Sequence, residues 1–229
     1  EEIAVVGCLV EHFPPDKSLE GFRIYTEWLN NLISAESIAK AIFIESPLAH
    51  PSVMMRRIWL ERVGGYQDHG WPEDYDLWLR MHLEGALFAK EPEVLLYWRD
   101  HFERLTRTDS RYSVENFLRA KAKYLCRGPL KDRDAVIVWG AGQMGRRLSK
   151  HLLREGAILK AFVDIDPRKI GGKRRDRPII APEDLLSCLS QYEQPVVLAA
   201  VGSRGARALI REQLNQMDLT EGEHWWAVA

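Results

Sequence analysis

The sequence predicts an α/β protein made of two successive units, and three of its features do so. Residues 3–10 and 135–139 are short, nearly continuous apolar runs, the pattern of strands covered on both faces. Residues 18–33, 72–84 and 112–126 instead repeat apolar residues at spacings of three and four, as helices lying on a core do. Between the halves, Gly128 to Asp134 is polar and carries Gly128 and Pro129, which break both patterns. The boundary is placed there, giving units at 1–127 and 128–229.

The totals fit that reading. The 229 residues suffice for one large or two small domains, and 46% hydrophobic with 28% charged residues describes a packed chain. A net charge of −1 argues against a general polyanion binder, so nucleic acid is not an expected partner. No apolar run approaches the roughly 20 residues of a membrane span. Glu1 to Ile3 lack the basic start and apolar core of a secretion signal. Cys8, Cys126 and Cys188 are far apart, which suggests reduced thiols in a cytoplasmic setting and no zinc site. The oligomeric state is not legible.

In chain order, the apolar strand at Ile3 to Val10 needs neighbours on both sides, which implies a further segment upstream. Ser18 can cap a helix over 18–33, with Leu19, Phe22, Thr26, Leu29 and Ile33 on one face. Ser34 caps a second helix through Ile38, Ala41 and Ile42. Pro51 holds His50 extended, and Val53 to Met55 form a short strand. Residues 56–63 form a short helix ended by Gly64 and Gly65.

The next helix carries the most chemistry. Pro72 suits its first position, and Glu73, Asp74 and Asp76 suit its positive N-terminal end, where a carboxylate is expected to stay ionised. Asp74 shares a face with Leu77, Trp78 and Met81. Glu73 and Asp76 share the other with Arg80, and Asp76 to Arg80 is an ion-pair spacing. Asp76 thus has a partner by spacing, while Asp74 is either a cap or a site residue. After Gly85, Ala86–Ala89 and Val94–Tyr97 read as two strands with a turn at Pro92. The loop from Trp98 to Arg107 holds His101, Arg104 and Arg107. It is either a solvated basic loop or an anion site, since a planar guanidinium fits two phosphate oxygens.

Taken together, the tracts Ser46 to Arg57, Val63 to Tyr66 and Glu73 to Trp78 resemble the C-terminal half of a family-2-type inverting glycosyltransferase of GT-A fold, over about residues 1–113. That resemblance implies a partial GT-A-type mixed α/β domain. It implies Asp74 as catalytic base with Glu73 beside it, and His50 either lining the donor-sugar cleft or serving as a structural histidine. It implies His101 as a ligand of Mg²⁺ or Mn²⁺, with Arg104 and Arg107 at the diphosphate. The reaction implied moves a sugar from a nucleotide-sugar donor to a hydroxyl of a glycan or lipid-linked acceptor, in surface polysaccharide synthesis, in the cytoplasm or at the inner membrane face. The family's nucleotide-binding half, with its Asp-x-Asp motif, precedes such tracts and has no counterpart here, so this segment alone is expected to lack transfer activity.

In the second half, the strand Ala135–Trp139 runs into Gly140-x-Gly142-x-x-Gly145 and then a helix with Leu148, Leu152 and Leu153. A strand, Leu159–Val163, follows and ends at Asp164. Strand, glycines, helix, strand and acid is the order of a dinucleotide-binding Rossmann-like unit. The glycines permit a tight turn and bring a pyrophosphate close to the helix N-terminus, and Asp164 would accept from a ribose hydroxyl. Asp164-x-Asp166 matches the glycosyltransferase metal signature, but its context is the dinucleotide pattern. The stretch Ile165 to Ile180 resembles small Rossmann-like domains found in sugar-modifying acyltransferases and beside surface-polysaccharide enzymes, which often hold a sugar nucleotide or an unknown ligand and do no hydride chemistry. Pro195–Val201 predicts a third strand, followed by Gly202 to Gly205 as a second place for an anion. Trp225–Val228 predicts a last strand. Two functions remain open: half of a transferase, or a module that binds a nucleotide or dinucleotide for sensing or docking.

Overall fold

The computed structural model describes residues 2–13, 20–101 and 103–229. The expected cap Ser18 and its neighbour Leu19 lie outside those residues. The chain divides into Glu1–Phe117 and Leu118–Ala229.

The first unit contains β1 (Ile3–Phe13), α1 (Glu20–Asn30), α2 (Ala35–Ala41), β2 (Met54–Met55), α3 (Arg57–Arg62), α4 (Glu73–Leu83), β3 (Leu87–Arg99) and α5 (Leu105–Thr108). Its sheet runs β2-β1-β3, with β1 antiparallel to β2 and parallel to β3. Val10, Leu29 and Ala49 form a core cluster against Tyr25, Trp28, Leu96 and Trp98. Ser34 caps α2 as its spacing predicts, accepting from the Ser37 N–H at 3.2 Å.

Three expectations are corrected here. The two strands foreseen around Pro92 are one strand, β3. Cys8 pairs with Glu91 and Leu9 with Val94, so Pro92 and Glu93 sit in a bulge between them. A proline brings no N–H to a ladder, and a bulge asks for none. Pro72 is the cap residue before α4, not its first helical residue, and its carbonyl accepts from the Asp76 N–H at 3.0 Å. His50 is not extended; it opens a 3-10 turn over His50–Ser52, and the extended residue is Ala49.

The second unit takes most of α6 (Val114–Arg127), then β4 (Ala135–Trp139), α7 (Gln143–Arg154), β5 (Leu159–Val163), β6 (Lys173–Arg174), β7 (Arg177–Ile180), α8 (Leu185–Leu189), β8 (Pro195–Ala199), α9 (Ala206–Gln216) and β9 (Trp225–Ala227). The division between units falls inside α6 rather than at 127/128. The reason is packing: Leu118, Ala122 and Leu125 are buried, and the Lys121 ammonium donates to the Val228 carbonyl at 2.6 Å. The sheet order is β6-β7-β5-β4-β8-β9, parallel throughout except for the β6–β7 pair. The first strand in sequence, β4, lies in the middle. The chain moves to β5 on one side and later returns to β8 on the other. A parallel sheet of this order is Rossmann-like, and it opens a crevice at the carboxyl ends of β4 and β8. All of β4 is buried, which is why it reads as an unbroken apolar run.

Candidate functional site

The turn from β4 into α7 gives each of its glycines a different duty. Gly140 has φ +121°, and a Cβ on it would stand 2.8 Å from the Ala200 carbonyl oxygen and from the Val201 side chain. The turn therefore approaches the end of β8 more closely than any side chain allows. A Cβ on Gly145 would stand 1.8 Å from the Gly140 oxygen, so α7 packs directly on the turn. Gly142 differs from both. It caps α7 with φ −77°, and a Cβ there would meet nothing within 4 Å. Its open side faces a cavity of about 890 Å³ lined by Gly140, Gly142 and Asp164. The first N–H groups of a helix have no intrahelical acceptor, and here no side chain caps them. They form a ready site for an oxyanion.

The cavity lies at the carboxyl ends of β4, β5 and β8. Its far wall is one face of α9, with Leu209, Gln213 and Gln216. Its size is near the top of the range for small-molecule sites, roughly 300–1,000 Å³. Asp164, expected to face a ribose, does line the cavity but is only 8% exposed. One carboxylate oxygen accepts from the Ala141 N–H and from the Lys169 ammonium, each at 3.0 Å. The other accepts from the Asp166 N–H at 3.0 Å. Asp166 pairs with Arg168, which holds its carboxyl below the usual range. Both acids of Asp164-x-Asp166 thus have cationic partners.

In the first unit, the structure brings together the acids at the head of α4 and His50. Asp74 is half-buried, and its carboxylate accepts from the Tyr75 N–H at 2.7 Å. Burial pushes its carboxyl up, against the pull of that N–H and of His50. This is opposite in direction to the effect expected of a helix end. Glu73 accepts from the Tyr112 hydroxyl, 3.0 Å from each of its oxygens. His50 Nε2 lies 2.7 Å from the Tyr66 hydroxyl. Burial raises Tyr66, with Asp74 and Glu73 adding to the effect. The two tyrosines were not foreseen. Tyr66 follows the Gly64-Gly65 turn and could have been noticed; Tyr112 is 39 residues from its partner and left no local signal. Asp76 takes the ion pair its spacing predicts, 2.7 Å from Arg80, but fully buried and with the Trp71 indole N–H at 2.8 Å.

The basic loop folds on itself. The Arg104 guanidinium lies over the rings of Phe22 and Trp98, 4.2 and 4.5 Å from their centres. It also lies 3.5 Å from Asp100, while Arg107 meets the other Asp100 oxygen at 2.8 Å and the His101 carbonyl at 3.0 Å. Both arginines are thus engaged within the loop, and His101 is exposed beside it. Among the described residues no three His, Cys, Asp or Glu side chains converge as a metal site. Among them, too, no helix is long and apolar enough to cross a membrane.

Compared with known proteins, the chain matches no family model and no curated protein. Among solved structures it is similar to a UDP-D-quinovosamine 4-dehydrogenase from Vibrio fischeri, at 23% identity over 38% of this chain and 74% of that one, with a TM-score of 0.32. It is also similar to RSP, a Rex-family repressor, at 18% identity over 49% of this chain and 59% of that one, with a TM-score of 0.36. For RSP in complex with β-NAD⁺ and operator DNA the values are 21% identity, 51% and 58% coverage and a TM-score of 0.35. Likenesses at this level concern the fold alone.

Proposed function

We propose that the second unit is a nucleotide-binding module that takes a diphosphate-bearing ligand at the glycine turn, with a sensing or docking role. The carrying observation is the division of labour among the glycines. Gly140 and Gly145 are required by packing, whereas Gly142 is required by nothing in the chain. A residue kept small toward an open cavity at an uncapped helix end is explained by a ligand's phosphates. The test is calorimetric titration of the whole chain with NAD⁺, NADH and UDP-glucose. Binding by one of them that Gly142→Val abolishes supports the proposal. Binding unchanged in that variant removes the turn from the site.

The cluster at the head of α4 supports a second reading, inverting glycosyl transfer from a nucleotide sugar. In that reading Asp74 takes the proton of an acceptor hydroxyl as its oxygen attacks the anomeric carbon. A carboxylate made more basic by burial is the better acceptor. The described residues around His101 do not fit the divalent ion of this reading. Asp100 is held by two arginines, and no further ligand converges there. No step is therefore assigned to a metal. The assay is sugar transfer by a protein that joins this segment to a donor-binding half. Transfer at the normal rate by Asp74→Asn would remove Asp74 from the role of base.

A further inference from the structure

We propose that Asp164 is a positioning residue that clasps the glycine turn, so that the cavity reads a nucleotide's phosphates without reading its ribose diol. The inference rests on the nucleotide-binding reading of this cavity. A carboxylate offers about four lone-pair sites. Three are filled within the chain, by the Ala141 N–H, the Lys169 ammonium and the Asp166 N–H. A vicinal diol donates two hydrogen bonds and needs two free sites on its acceptor. One remains, on a residue that is 8% exposed.

What Asp164 does hold is the turn itself. The Ala141 N–H lies between two of the glycines, and the bond to Asp164 ties β4's exit to the end of β5. That tie fixes the direction in which the first N–H groups of α7 point. It also places a negative charge close to where a phosphate would sit. Lys169 offsets that charge at 3.0 Å and is itself held by its N–H bond to the Asp166 carbonyl at 2.9 Å. Asp164, Lys169 and the turn are one device: the acid orients the N–H groups, and the lysine keeps the acid from repelling the ligand.

The test has a ligand-binding arm and a ligand-free arm. ADP and 2′-deoxy-ADP are titrated into the whole chain, and equal affinity within about twofold is expected. A loss of about tenfold or more for the deoxy probe, the effect of a missing hydrogen bond to a charged group, overturns the proposal. Lys169→Gln is expected to weaken ADP binding about tenfold, because the acid is then uncompensated. Asp164→Asn combined with Lys169→Gln is expected to restore it; a ribose-reading Asp164 would make the double variant weaker still. Without ligand, the Ala141 amide should exchange slowly in the wild type and fast in Asp164→Ala, while Val138 in β4 stays protected. Equal Ala141 protection in the two proteins overturns the clasp. If neither ADP, NAD⁺ nor UDP-glucose binds, the nucleotide reading falls and takes the ribose claim with it, and exchange alone decides the clasp.

Discussion

Replacing Gly142 by aspartate should raise the stability of the ligand-free protein and weaken ligand binding roughly a hundredfold in the same step. The backbone there is ordinary for an L-residue, with φ −77° and ψ −159°, and the Cβ enters open space. Aspartate is a better helix cap than glycine by a few tenths of a kcal/mol. Its charge at the head of α7 adds about 0.3–1 kcal/mol. The sum, about 0.5–1 kcal/mol, corresponds to a rise in Tm of about 2–4 °C for a domain of this size. For a phosphate the same carboxylate is a like charge about 5 Å away. At an effective dielectric of about 20 the repulsion is about 3 kcal/mol, or roughly a hundredfold in affinity. Calorimetry of the free protein gives the first number and titration with NAD⁺ or UDP-glucose the second. A variant that binds as tightly as the wild type shows that phosphates do not sit at α7. A variant that unfolds several degrees earlier shows that the space at Gly142 is not open.

Gly145→Ala should behave in the opposite way. Its Cβ meets backbone at 1.8 Å, and a loss of about 3 kcal/mol or more, read by denaturant unfolding, is expected. Asp76→Ala leaves the Arg80 guanidinium without its buried partner and should destabilise the first unit by about 3–5 kcal/mol, read in the same way. Asp74→Asn should stabilise that unit at pH 7, because burial disfavours the charged carboxylate there. The gain should shrink as pH falls toward the carboxyl range and both proteins become neutral at this position; a stability loss at pH 7 would refute it.

The elements legible in the sequence were those whose cause is local. β4 and β5 are found with the bounds expected, because each is buried on both faces and ends at a glycine or an acid. Ser34 was legible as a cap for the same reason. Pro92 was misread because proline marks a turn in isolation, and only the partner strand's register reveals a bulge. The glycine turn was legible as a motif. The separate duties of its glycines were not: that of Gly140 depends on Ala200 and Val201, some 60 residues away, and that of Gly145 on the folded turn setting the Gly140 carbonyl against α7. The acids of α4 were legible through helical spacing, whereas Tyr66 and Tyr112 reach them from other segments. Arg104 and Arg107 looked available to a phosphate until folding placed Asp100 and two aromatic rings beside them.

Lys90 shows why a buried polar group by itself is not evidence of a site. The residue is 5% exposed, and its ammonium donates to the Leu29 carbonyl, which already accepts from the Leu32 N–H. Burial pulls it down to about 8, with nearby Cys8 opposing. An unfolded lysine titrates near 10.4. Between these values the unfolded chain holds a proton that the folded chain has shed, so stability rises with pH across that window, by up to about 3 kcal/mol. Below pH 8 the cost of the buried charge is fully present. Lys90→Met should therefore raise the unfolding midpoint at pH 7, and its advantage over the wild type should fade between pH 8 and 10. An advantage that is independent of pH would mean that packing, not charge, sets the cost. The Leu29 carbonyl that accepts from Lys90 is already satisfied by the Leu32 N–H and does not need the ammonium. In the second unit the costly features instead converge: a left-handed Gly140, an uncapped helix, a buried Asp164 and a large cavity all meet at one turn. Departures from local rules that gather around one open space are what a ligand site leaves in a fold, and that convergence is why the nucleotide reading stands ahead of the transferase reading.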